Sequence, residues 1–326
     1  MKKIIKKNIA VVLLAIMSLN LVACQKNGET SKTTVETQTE TSTLEERNKE
    51  RETKYVAEDK IKDMIKPYQD YYKEHGEKGA KQTNLKNITD DMGVLIQNGK
   101  VMENIDKNQK ADFEYVLDAT CKACIGLDEV LKAAKFENIF KDKIVKIKML
   151  PLLGREQSLF FSNRVAAYMS AIAETKPSVY LDSLYALMNK DFFSTGENLN
   201  KGNITDGGIE DELKYKGFLT DEDVTKIKAL TPELALRTTM ETENMQKQAK
   251  ELATKYKMTK GFSLPFLVNG ETCFNVKYFS GNKTRAEQID LLKMWVDGKE
   301  MPELKEAEPT PTLKESNPKP TSTETK

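Results

Sequence analysis

Histidine is almost missing from this chain of 326 residues, which carries one, His75. That scarcity excludes schemes that draw on several imidazoles, such as His-rich zinc sites, di-metal centres or a Ser-His-Asp site with spare ligands. Charge of one sign is lacking as well: 51 Lys+Arg against 50 Asp+Glu leave a formal net charge of +1, so no basic excess points to nucleic acid. With 31% charged residues and a mean hydropathy of −0.57, the chain has no room for a multi-span membrane body. No internal repeat is present. The length suffices for a sizeable core and one or two domains. Cysteine is sparse too, at four residues, and these four carry most of the chemical information.

The first of them lies in a leader. Lys2, Lys3, Lys6 and Lys7 precede an apolar run from Ile9 to Leu19, which is short for a membrane span and has the layout of an export signal. It ends in Leu21-Val22-Ala23-Cys24, which resembles a bacterial lipobox, where the cysteine is lipidated and becomes the new N-terminus. An ordinary signal peptide with an incidental cysteine is the alternative. Removal of residues 1–23 takes away four lysines and moves the net charge from +1 to −3. The expected location is the cell envelope, lipid-anchored on the extracytoplasmic side of the membrane, where disulfides can persist. Residues 24–52 are rich in Thr, Glu, Ser and Lys and read as a flexible tether. The proline-bearing polar tail, 301–326, reads as disordered.

Between these ends, the pattern alternates. A helical pattern with Ile61, Met64, Ile65 and Tyr68 on one face is interrupted by Pro67. Asn98-Gly99 between apolar runs predicts a hairpin. Phe113–Asp118 reads as a buried strand that runs into Cys121-Lys122-Ala123-Cys124, followed by helical period through Leu127, Val130, Leu131 and Ala134. Ile144–Leu150 is a second strand, so the unit is strand–helix–strand and parallel. Residues 157–257 are mostly helical. Thr220, with Asp223 three residues on, caps the segment Asp221–Leu230, and Thr231-Pro232 opens a separate long helix to about Tyr256. Leu264–Val268, the turn Asn269-Gly270 and Thr272–Val276 predict two further strands. A last helix opens with the capping box Thr284–Glu287 and buries Ile289, Leu292, Trp295 and Val296.

A Cys-x-x-Cys at the entrance of a helix has a redox rationale. Unpaired backbone N–H groups and the helix dipole stabilise an anion at the first position, lowering the thiol pKa of Cys121. Two intervening residues let Cys124 reach it and resolve a mixed disulfide. Lys122 adds a positive charge nearby. A zinc site lacks ligands, since only Cys273 and His75 remain, and a haem attachment site needs a histidine where Ile125 stands. A structural short-loop disulfide is the competing reading.

These residues, followed by the strand, the helical stretch and Gly261-Phe262-Ser263-Leu264-Pro265-Phe266, resemble the thioredoxin superfamily, specifically its DsbA-like thiol-disulfide oxidoreductases. The resemblance covers roughly 111–298. It implies an α/β thioredoxin fold with an inserted helical domain, plus an N-terminal extension. The divisions expected are an extension at 53–110 (helix and hairpin), a first thioredoxin-like half at 111–156, a helical insertion at 157–258 and a second half at 259–300. It further implies Cys121 as nucleophile, Cys124 as resolving thiol, a cis Pro265 packed against the pair, and a Leu264 backbone that pairs with substrate peptide. No cofactor or metal is expected. The partners implied are exported proteins bearing thiols or disulfides, an unidentified redox partner, and the membrane through the anchor on Cys24.

Three departures accompany the resemblance. Lys-Ala stands between the cysteines, where strong oxidants commonly have Pro-His. Tyr115 replaces an acid that many relatives bury six residues before the first cysteine, and Glu114 points to the opposite strand face. Asp118 is a candidate nearby carboxylate, or else a strand-end residue in solvent. Cys273 reads as a small apolar core residue, with a third redox thiol near Pro265 as the alternative. His75 reads as a residue of a solvated helix end. The function expected is disulfide formation in exported proteins. Reduction or isomerisation by the same fold is the first alternative, and a non-enzymatic lipoprotein with a structural bridge the second.

Overall fold

A computed structural model describes residues 58–75, 84–152, 156–189, 206–258, 261–280 and 282–304. The leader, Cys24 and most of the tether and tail therefore lie outside the described residues. In chain order the elements are α1 (Glu58–His75), β1 (Val94–Gln97), β2 (Lys100–Val101), β3 (Phe113–Leu117), α2 (Lys122–Ala134), α3 (Phe136–Ile139), β4 (Ile144–Met149), α4 (Glu156–Thr175), α5 (Tyr180–Leu187), α6 (Asp206–Tyr215), α7 (Asp221–Lys255), β5 (Phe266–Val268) and α8 (Arg285–Val296). The five strands form one sheet in the order β2-β1-β4-β3-β5.

Strand β3 pairs parallel with β4, with Tyr115 opposite Ile147 and Leu117 opposite Met149. Residues paired in this way share a sheet face, and alternation puts their neighbours on the other. On the first face Tyr115 reaches Asp128 of α2, and Phe113 packs on Trp295 of α8 with ring centroids 5.6 Å apart. On the second, Lys148 meets Glu241 of α7. Helices thus cover both faces, and α4, α5, α6 and α7 form the helical block between β4 and β5. This is the α/β, thioredoxin-like architecture with a helical insertion that the sequence resemblance implies.

Four local expectations are corrected. The Asn98-Gly99 turn forms its hairpin, with Gln97 opposite Lys100, but the hairpin belongs to the central sheet, because β1 pairs antiparallel with β4. Val94, Leu95 and Ile96 are all buried, which only a covered sheet position satisfies. Helix α1 continues through Pro67. Helix α7 likewise runs unbroken from Asp221 to Lys255, with Pro232 inside it. Proline cannot donate to the carbonyl four residues back, that of Lys228. The Thr231 hydroxyl supplies a substitute donor to this carbonyl at 3.2 Å, and itself accepts the Tyr68 hydroxyl of α1 at 3.3 Å.

The strand expected at Thr272–Val276 shrinks to a single bridge between Val268 and Cys273. Side chains compete with the ladder there: Asn269 Oδ1 accepts the backbone N–H groups of Glu271 and Thr272, and Asn275 caps a short 3-10 turn at Val276–Phe279. Both expected caps form as complete capping boxes, Thr220 with Asp223 and Thr284 with Glu287. In α8, Leu292 and Trp295 are buried, while Ile289 and Val296 are half-buried.

Candidate active site

The cysteine pair sits where β3 ends and α2 begins. Asp118, the first residue after the strand, is fully buried and accepts Thr120 N–H at 2.8 Å, Thr120 Oγ1 at 2.7 Å and the Ser162 hydroxyl of α4 at 2.7 Å. Its carbonyl accepts the Cys121 N–H at 3.0 Å. Asp118 is thus the pin that turns the strand into the helix and ties this turn to the helical insertion, not a solvated strand end. Cys121 is the N-cap of α2, and its Sγ accepts the Cys124 N–H at 3.2 Å.

Both thiols are buried and free, yet they are electrostatically opposite. The Cys121 thiol is held below its ordinary range, first by the Cys124 thiol as donor, against desolvation, and then by the Cys124 and Ala123 backbone N–H groups. The Asp118 charge partly opposes this. Lys122, by contrast, is exposed and is not among the leading influences on that thiol. Burial pushes the Cys124 thiol well above its usual value, and its proximity to Cys121 adds to the rise. A thiol that ionises readily therefore lies beside one that ionises reluctantly.

Strand β5 brings the third part. It runs antiparallel to β3 with Phe266 opposite Val116, and continuing that register sets Pro265 opposite Leu117 and Leu264 opposite Asp118. The Leu264–Pro265 peptide is cis, and both residues are buried. Cys121, Cys124, Leu264 and Pro265 thus share one end of the sheet.

Two carboxylates near the pair are sorted by the strand pleat. Glu114 faces away, 3.7 Å from the Lys148 ammonium on the opposite side of the sheet. Tyr115 faces α2, and its hydroxyl donates to Asp128 Oδ1 at 3.0 Å. Asp128 has no place in the sequence-based reading, although a signal exists: it lies four residues after Cys124, within the apolar stripe of α2, where an acid is out of pattern.

The remaining candidates lie apart from this chemistry. Cys273 is half-buried beside the Phe274 carbonyl, and burial pushes its thiol up to about 11, as suits a packed core sulfur. His75 ends α1 half-buried against the Tyr71 ring, with centroids 4.5 Å apart. Among the described residues no group of His, Cys, Asp or Glu is arranged to hold a metal ion, and no helix is long and apolar enough to cross a membrane.

The candidate site is therefore a parallel strand–helix–strand unit with two cysteines at the helix entrance, faced by Leu264 and Pro265 at the start of the neighbouring antiparallel strand. Among solved structures, the chain is similar to MdbA, a thiol-disulfide oxidoreductase from Actinomyces oris, at 15% identity over 68% of this chain and 98% of that one, with a TM-score of 0.47. It is also similar to MdbA from Corynebacterium diphtheriae, at 15% identity over 69% and 98% with a TM-score of 0.42, and to the thiol-disulfide exchange protein alpha-DsbA2 from Wolbachia pipientis, at 16% over 73% and 94% with a TM-score of 0.40. No protein-family model matches the sequence, and no curated protein does.

Proposed function

We propose that this chain is an extracytoplasmic, lipid-anchored thiol-disulfide oxidoreductase that forms disulfides in exported proteins through Cys121 and Cys124. The observation that carries the reading is the Cys121 sulfur capping α2, where it accepts the Cys124 N–H at 3.2 Å. Charge on that sulfur is stabilised by groups already in place, so Cys121 is a good leaving group and the reduced pair is favoured.

In the oxidised enzyme a substrate thiolate attacks Cys121 Sγ. The Cys121–Cys124 bond breaks, its electron pair leaves on Cys124, which takes up a proton, and a mixed disulfide forms at Cys121. A second substrate thiolate then attacks the substrate sulfur of that bond, and Cys121 departs as a thiolate. The substrate dithiol loses two electrons and the pair gains them. Leu264, whose backbone lies opposite Asp118 at the sheet end, offers an edge for the substrate peptide, with Pro265 beside the sulfurs. The lipobox at Cys24 and the polar tether at 24–52 support an anchor that leaves the domain free to meet emerging chains.

The test is the reduction potential of the pair in the full chain, equilibrated against a glutathione series. A value near about −120 mV supports disulfide donation, whereas one near about −270 mV assigns the same site to reduction or isomerisation. A pair that does not exchange at all leaves a structural bridge and removes the enzyme reading.

A further inference from the structure

The helical insertion reaches the turn before the cysteine pair through a side chain of α4. Ser162 is fully buried, and its hydroxyl donates to Asp118 Oδ1 at 2.7 Å. Its neighbour Asn163 donates from Nδ2 to Thr239 Oγ1 of α7 at 2.8 Å, so the place of Ser162 is set by the packing of two long helices. Two further donors to Oδ1, the Thr120 N–H and hydroxyl, belong to the active-site turn itself and follow the carboxylate wherever that turn goes. Ser162 differs from them, because it ties the carboxylate to a body outside the turn. What it ties is a charge beside the redox sulfur. Asp118 is wholly buried three residues before Cys121, whose N–H its carbonyl accepts at 3.0 Å. Charge on the Cys121 sulfur is favoured first by the Cys124 thiol and then by the Cys124 and Ala123 N–H groups, and the Asp118 charge works against it. Tyr115 from β3 and Asp128 from α2 also face Cys121, and they are bonded to each other.

We propose that Ser162 is a positioning residue through which the helical insertion sets the reduction potential of the cysteine pair: its hydroxyl holds the Asp118 carboxylate and limits how strongly that charge opposes the Cys121 thiolate. The proposal rests on the oxidoreductase reading. In the oxidised pair Cys121 carries no charge, whereas in the reduced pair it carries a thiolate, so the Asp118 charge acts on the reduced form alone. When the disulfide takes up two electrons and its bond breaks, an opposing charge makes that uptake less favourable and the pair a weaker disulfide donor. A hydroxyl donating to the carboxylate at 2.7 Å draws its negative charge toward α4 and weakens the opposition. Both groups are buried and act through Cys121. A serine of the insertion, 41 positions beyond the first cysteine, thereby tunes an equilibrium that the residues between the cysteines do not fix alone.

The test uses the full chain and two readouts, the exchange equilibrium with glutathione and the ultraviolet absorbance of the thiolate as the reduced protein is titrated. Ser162→Ala should lower the equilibrium constant for reduction of the pair about threefold, or about 15 mV, and move the thiolate midpoint upward. Ser162→Thr keeps a hydroxyl and should restore both toward the native values. Asp118→Asn should act in the opposite sense and raise the constant on the order of tenfold, about 30 mV. Ser162→Ala added to Asp118→Asn should then have little further effect, because the charge through which Ser162 acts is gone. A packing defect alone gives neither the reversal of sign nor the lost effect. An unchanged or raised constant in Ser162→Ala, or its full effect on top of Asp118→Asn, overturns the proposal. If Asp118→Asn does not fold, Ser162→Ala and Ser162→Thr decide, and equal values in the two overturn it. A native pair that does not exchange with glutathione removes the oxidoreductase reading, a distinct result; the thiolate midpoint then judges Ser162 separately, and an unmoved one in Ser162→Ala overturns its role.

Discussion

Replacing Lys148 with methionine should destabilise the protein by about 3 kcal/mol at neutral pH. The Lys148 side chain is 3% exposed, and its ammonium lies 2.6 Å from Glu241 of α7, 3.3 Å from Asp91 in the loop before β1, and 3.7 Å from Glu114 of β3. One cation therefore holds the helical insertion, the N-terminal loop and the sheet together. Methionine keeps most of the volume, so packing changes little, but three carboxylates lose their common counter-charge, and among the described residues only Asp91 keeps another, Lys146 at 2.9 Å. Removing one partner of a buried ion pair costs about 3–5 kcal/mol, and the lower end applies because the acids are 15–36% exposed and can reach water.

The pH dependence has a definite sign. Burial raises the Asp91 pKa, but Lys148 and then the Thr89 hydroxyl and Lys146 outweigh it and hold the carboxyl down at about 2, from an ordinary 3.8. A depressed carboxylate stabilises the fold above its unfolded pKa and loses that contribution as pH falls toward its folded value. In Lys148→Met the largest depressing influence on Asp91 is gone, so the difference from the native chain should be full at pH 7 and shrink between pH 4 and pH 2. Urea unfolding of both chains, followed by circular dichroism at pH 7 and pH 3, measures this. A difference under about 0.5 kcal/mol at pH 7, or one as large at pH 3, would refute the assignment of Lys148 as the shared counter-ion.

The packing of β1 against β4 gives a second outcome: a Cβ on Gly93 would lie 2.5 Å from the Lys146 side-chain stem and 2.8 Å from Thr89 Oγ1. Gly93→Ala should therefore cost about 1–3 kcal/mol by urea unfolding, and a neutral result would mean that Lys146 moves freely. Thr231→Val removes the hydroxyl that serves the Lys228 carbonyl above Pro232, and should lower stability by about 1 kcal/mol; no loss in thermal melts would show that carbonyl to be satisfied elsewhere. Alkylation of the native reduced chain at pH 8 should modify Cys121 first and leave Cys273, with its thiol near 11, unlabelled on that time scale. Mass spectrometry of the labelled peptides reads the order, and early labelling of Cys273 would speak against a packed core sulfur.

The amino-acid order alone decided whatever depends on a few neighbouring residues. The strand entering Cys-x-x-Cys, the helix leaving it, the Asn98-Gly99 turn and the capping boxes at Thr220 and Thr284 are all local, since caps and turns are made by side chains within three residues of the backbone they serve. Tertiary structure decided the rest. Pro67 and Pro232 look like helix breaks by propensity, yet both helices continue, and at Pro232 the hydroxyl chain from Tyr68 through Thr231 supplies the donor that proline lacks. The hairpin reads as an extension until β4 offers it a sheet edge. Asp118, Asp128 and Lys148 are charged residues of types that are almost never fully buried unless paired. Each is buried because residues far along the chain, Ser162 for the first, Tyr115 for the second and Glu241 for the third, meet it with a complementary group, and only the folded chain makes those meetings.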